Sequence, residues 1–161
     1  MSDPLAIYLH DHLAGARSAV MLLEFLRDER AAEPMGRFAQ DLLVEVEEDR
    51  ATLAQLAERI GVGSSTLKDA LSAVGERVAQ IKLQRANHGP FGTFEALEAL
   101  ALGILGKRSL WRALGALAQQ DNGRLGGLDF ARLSARAEEQ HRRVEERRLA
   151  ILSEAMQPTE D

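Results

Sequence analysis

Residues 38–60 read FAQDLLVEVEEDRATLAQLAERI. The apolar residues Phe38, Leu42, Val46, Leu53, Leu56 and Ile60 recur in steps of three and four, so they share one face of an α-helix. The same rhythm puts one acidic residue, Asp49, on that face. Upstream, Pro34 suits a first helical position, and downstream Gly61 and Gly63 stop the helix. Working outward toward the N-terminus, Asp3 caps a helix that opens at Pro4 and runs to Glu29. Its seam is Leu5, Leu9, His12, Ala16, Ala19, Leu23 and Leu26. Only a few residues separate the two helices, so they are expected to be antiparallel neighbours.

Toward the C-terminus, Ser64 or Ser65 caps a further helix expected to end near Gln84, and the run Asn87–Gly92 breaks it. Thr93 caps a helix from Phe94 to about Gln119, with Leu97, Ala101, Ile104, Arg108 and Trp111 along one side. Asp129 caps the last helix, Phe130 to about Met156, whose seam is Phe130, Leu133, Ala137, His141, Val144, Arg148 and Ile151. Residues 157–161 are polar and expected to fray.

Composition supports an all-α reading. Ala and Leu occur 25 times each, Arg 17 times and Glu 16 times, against only 7 Val, 5 Ile and 4 Thr among 161 residues. A chain about half A/E/K/L/R with helical periodicity folds as long helices, and so few β-formers cannot build a sizeable sheet. The chain has no cysteine, which excludes disulfides, thiolate metal sites and cysteine nucleophiles. Its net charge of −5 gives no global attraction to nucleic acid or to an anionic membrane. The longest apolar runs, such as residues 99–106, fall short of the roughly 18 residues that span a bilayer. No signal-peptide pattern opens the chain, so a cytoplasmic setting is expected.

Four helices of about 26 residues are each about 39 Å long. They pair first with second and third with fourth through short loops, and about 30 residues join the pairs. If that segment returns along the bundle, the second and third long helices run parallel, with one long crossover that is itself helical. A simple five-helix up-down bundle satisfies the same lengths. Either way residues 1–161 are expected to form one domain.

The stretches YLHDHLAGA (residues 8–16), EVEEDRATL (45–53), LEALALG (97–103) and GKRSLW (106–111), set on these helices, carry a resemblance. The chain resembles ferritin-like four-helix bundles, and a group of bacterial helical proteins of similar length with no established activity. The superfamily resemblance implies a di-iron or di-manganese site, with a Glu from one helix of each pair and a Glu-x-x-His from the other. Glu138 and His141 match the last pattern. Glu45 and Asp49 offer carboxylates on the second helix, and His12 stands where the first should give a Glu. The third long helix instead brings Lys107, Arg108 and Trp111 to that depth. His12, Asp49, Arg108, Glu138 and His141 lie within about 6 Å of one level. Arginine stays protonated, and a cation repels Fe²⁺ or Mn²⁺ while neutralising a carboxylate. The expectation is a buried polar layer of His12, Asp49, Arg108 and His141, in which ion pairs replace the metal and no cofactor is held. Iron or manganese bound by His12, Glu45, Asp49, Glu138 and His141 is the alternative.

The remaining signals read blandly. Gly61-Val62-Gly63-Ser64-Ser65 is a C-cap followed by an N-cap. The run around Arg142, Arg143, Arg147 and Arg148 is neutralised by Glu138, Glu139, Glu145 and Glu146, with Glu138–Arg142 and Glu139–Arg143 at the favourable i,i+4 spacing. Gly103 and Gly106 suggest close approach of another helix, and Trp111 a core plug. The first functional reading is a non-enzymatic interaction or structural bundle, dimeric through an apolar helix face, with no nucleic-acid or membrane partner. A metal-dependent oxidoreductase or iron-handling protein is the second. A small-molecule binder is the third.

Overall fold

The computed structural model describes residues 3–63, 89–120 and 123–158. Helix α1 spans Pro4–Glu29, α2 Pro34–Ile60, α3 Gly89–Ala118, α4 Phe130–Ala150 and the single turn α5 Leu152–Ala155. Among the described residues there are no strands, and no helix is long and apolar enough to cross a membrane. The helix expected after Ser64 or Ser65, and with it the nature of the crossover, lies outside the described residues.

Local chemistry accounts for the helix ends. The Asp3 carboxylate accepts from the Leu5 backbone N–H at 3.0 Å, and Pro4 follows at the first position. Gly61 adopts φ +95°, and its N–H reaches the Ala57 and Glu58 carbonyls, a left-handed cap that glycine takes without strain. Asp129 accepts from the Arg132 N–H at 3.0 Å and starts α4.

Two expected boundaries shift. α3 begins at Gly89 rather than after Thr93. Pro90 is only its second residue, where a missing N–H costs nothing. Thr93 thus sits inside the helix, donating its hydroxyl to the Gly89 carbonyl and accepting from Arg30 at 2.9 Å. The last helix is interrupted at Ile151 rather than continuous to Met156. The bend lets α5 pack on α3 and buries Ala155.

α1 packs on α2, α3 packs on α4, and α1 also packs on α3. Directions follow from pairs at the helix ends. Asp3, before α1, pairs with Arg124, beyond the end of α3, at 2.5 Å, while Arg30, at the other end of α1, meets Thr93 at the start of α3. α1 and α3 are therefore antiparallel. Arg59, at the end of α2, donates to the Gly126 carbonyl beyond α3, so α2 and α3 run parallel. The shared core is mostly leucine, with Leu9, Leu23, Leu42, Leu56, Leu97 and Leu100 almost fully buried around Trp111.

The α1–α2 turn depends on one glycine. Glu33 N–H closes on the Arg30 carbonyl, and Gly36 N–H closes on Glu33. A Cβ on Gly36 would lie 2.2 Å from the Arg30 carbonyl oxygen, a backbone atom that cannot swing aside. Gly36→Ala is expected to destabilise the fold by about 2 kcal/mol, read as a lower thermal midpoint, whereas Gly15→Ala, whose Cβ meets nothing within 4 Å, is expected to raise it.

Candidate functional site

Asp49 stands on the inner face of α2 and is 2% exposed. Across the bundle the Lys107 ammonium of α3 reaches it, with Nζ 2.6 Å from Oδ2. Lys107 also donates to Gln140 Oε1 of α4 at 2.5 Å. Gln140, fully buried, donates in turn from Nε2 to Asp49 Oδ2 and Glu45 Oε2, each at 3.1 Å. One lysine and one amide thus join three helices around a single carboxylate.

Further charges flank this centre. Arg143 pairs with Glu45 at 2.6 Å, and Arg136 pairs with Glu48 at 2.6 Å while lying 3.7 Å from Asp49 Oδ1. Glu45, Glu48 and Asp49 therefore face Lys107, Arg136 and Arg143, three carboxylates against three cations. Burial raises the Glu45 carboxyl, but hydrogen bonds from Arg143 and Gln140 outweigh it and hold the group below its ordinary value. Burial pulls Lys107 below the usual lysine range against the attraction of Asp49.

The layer differs from the expected one on two helices. Arg108 and His141 are only half-buried, and Lys107 and Gln140, each one position earlier, take the inner places. One residue is about 100° around a helix, so choosing the wrong member of a pair turns the side chain to the rim. Glu138 is 68% exposed and pairs with Arg108 at 3.4 Å rather than with Arg142, which lies between Glu139 and Glu146. Arg143 turns inward to Glu45, with only a loose 3.9 Å approach to Glu139. His12 packs edge-on against Tyr8 at 4.7 Å, and burial, opposed by Asp11, lowers its pKa and keeps the imidazole neutral at pH 7. Lys107 stands at the depth expected of it but takes the inward place expected of Arg108, and Gln140 takes that of His141, which completes the Glu-x-x-His pattern. The spacing Phe130, Leu133, Ala137, Gln140, Val144 was the signal that would have found Gln140.

The di-metal ligand set implied by the ferritin-like resemblance does not fit these residues. Asp49 and Glu45 are engaged by Lys107, Gln140 and Arg143, Glu138 faces outward, and no group of three His, Asp or Glu among the described residues has the arrangement to hold a metal ion.

Beside the Lys107–Asp49 pair, α1, α2 and α3 leave a cavity of about 70 Å³. Its wall includes His12, Gly15, Arg50, Gly103, Lys107 and Trp111. Gly15 and Gly103 are exposed at its rim, and a Cβ on Gly15, Gly103 or Gly106 would meet nothing within 4 Å. Among the described residues no helix presses on Gly103 or Gly106, contrary to the expectation of close approach. Among the described residues, Asp49 Oδ1, Arg50 Nε, Arg108 Nε, Arg143 Nε and the Nε1–H of fully buried Trp111 are buried without a hydrogen-bond partner.

Lys107→Met, which strands the buried Asp49 carboxylate, is expected to cost about 3 kcal/mol, whereas Lys107→Met/Asp49→Leu is expected to recover most of that loss in denaturant melts. Because the Glu45 pKa is lower in the folded state, its contribution is complete above about pH 5 and lost as pH falls through the depressed value. Thermal midpoints measured from pH 6 to pH 3 should therefore fall less steeply in Glu45→Gln than in the native chain.

No protein-family model, curated protein sequence or solved structure matches the chain, and its function rests on this geometry.

Proposed function

We propose that this chain is a ferritin-like four-helix bundle with a non-enzymatic, structural or interaction role, in which an ion-pair cluster stands where related bundles hold metal. The observation that carries the reading is the Lys107 ammonium 2.6 Å from the Asp49 carboxylate between the helices. A fixed cation there neutralises the carboxylate and repels Fe²⁺ or Mn²⁺. The parallel course of α2 and α3 is compatible with ferritin-like connectivity, as it is with a five-helix up-down bundle. A dimer through an apolar helix face belongs to the same proposal, since Ile7, Val44 and Leu102 are 50%, 50% and 64% exposed.

The test is elemental analysis of protein purified without chelator, followed by titration with Fe²⁺ under anaerobic conditions. The expected result is far less than one iron or manganese per chain and no saturable uptake. About two metal ions per chain would overturn the proposal in favour of the di-iron alternative.

A further inference from the structure

Four polar residues line the cavity between α1, α2 and α3, yet most of their polar atoms are closed to it. Lys107 directs its ammonium to Asp49 Oδ2 and Gln140 Oε1. Asp49 Oδ1, Arg50 Nε and Trp111 Nε1 are buried inside the wall and present no surface to the space it encloses. The surface that does face the cavity is mostly carbon, supplied by Ala16, Ala19, Val46, Leu53, Ile104 and Leu110 with the Trp111 ring. His12 also lines the space, and its imidazole is neutral at pH 7 because burial lowers its pKa.

Such a wall decides what can occupy the space. A buried water needs about two to four hydrogen-bond partners, and the polar atoms nearest the cavity are enclosed or already used. An anion meets the Asp49 carboxylate, and a cation meets Lys107 and Arg50. Either would leave water without gaining a free counter-charge, because Lys107 and Asp49 are paired with each other. An uncharged apolar molecule incurs neither cost and gains dispersion contacts with the carbon surface.

The space also has an entrance and a size. Gly15 and Gly103 are exposed at the rim, and a Cβ on either would meet nothing within 4 Å. Glycine weakens a helix interior relative to alanine, and neither residue has a positive φ or, among the described residues, a neighbour that requires it. Their visible effect is an open rim between α1 and α3. An engineered apolar cavity of about 150 Å³ stays dry and takes benzene or xenon. This one, at about 70 Å³, has room for a molecule smaller than benzene.

We propose that the cavity is a binding site for a small uncharged apolar molecule of the size of a short hydrocarbon, admitted between Gly15 and Gly103 and held against Val46, Ile104 and Trp111. Its occupancy does not depend on whether the ion pair stands in place of a metal, so the two proposals can fail separately.

Xenon is the probe, titrated into the full-length chain with isotope-labelled methyl groups and followed by nuclear magnetic resonance. The chain carries one tryptophan, so fluorescence of Trp111 is a second readout. The expected result is saturable shifts confined to the cavity wall, Val46, Leu53, Ile104 and Trp111 among them, with a dissociation constant of about 10 mM or tighter. Propane is expected to displace xenon, whereas acetate and methylammonium, of similar size, are expected to leave these signals unchanged. Gly15→Met and Gly103→Met, each adding a side chain at the open rim, are expected to weaken xenon at least tenfold with an unchanged helical circular dichroism spectrum. No saturable shift up to about 40 mM xenon, or shifts centred elsewhere in the chain, would overturn the proposal. So would failure of propane to displace xenon, displacement by acetate or methylammonium, or xenon binding unchanged in both glycine variants.

Discussion

The interior is organised by one buried ion pair. Lys107 and Asp49 meet between α2 and α3, two helices with no short loop between them, and Gln140 brings α4 onto the same carboxylate. Removing two charges from water is expensive, and their attraction compensates only where the geometry is good and the remaining donors and acceptors are used. Here Lys107 has two acceptors and Asp49 Oδ2 has two donors, while buried Asp49 Oδ1 has no hydrogen-bond partner and only the charge of Arg136 at 3.7 Å. Such a pair specifies arrangement more than it adds stability. Sliding α3 by one turn along α2 would strand both charges, whereas a purely leucine interface tolerates slippage.

The polar centre also divides the bundle into unlike halves. Toward α4 the space is filled by long side chains, Glu45, Arg136, Arg143 and Gln140, which bridge α2 and α4 by hydrogen bonds. Toward α1 the residues are short, Gly15, Ala16 and Ala19, and a cavity remains. The same layer is therefore crowded on one side and under-packed on the other. Native interiors leave few voids of this size, and one lined by His12, Asp49, Arg50 and Lys107 as well as apolar residues differs from a simple packing defect.

Much of this architecture was legible in the residues. Asp3–Pro4, Pro34 and Gly61 mark three helix ends, because caps and first-turn prolines act locally and need no tertiary partner. Asp49 was visible as the one acidic interruption of an otherwise apolar stripe. The partners of Asp49 were not visible in the same way. On α3 and α4 two adjacent residues compete for each inward place, Lys107 with Arg108 and Gln140 with His141, and periodicity fixes a helix face only to within about one residue. Packing resolves the choice. Trp111, Ala137 and Val144 are fully buried, and they set the rotation that turns Lys107 and Gln140 inward. The cavity was illegible for a related reason. Gly103 suggests a close neighbour as readily as an empty space, and only the position of α1 distinguishes them.

The polar clasps at the helix ends have a consequence in time. Each antiparallel pair is built from contacts near in sequence, so the α1–α2 and α3–α4 hairpins can form early and independently. What joins them is distant in sequence: a shared leucine core, and ion pairs of Asp49 with Lys107, Glu45 with Arg143 and Asp3 with Arg124. Assembly is then a docking of two half-built units whose facing surfaces already carry opposite charges in matching places. Leucine seams thus build the halves and hold them together, and the ion pairs fix the register in which the halves meet.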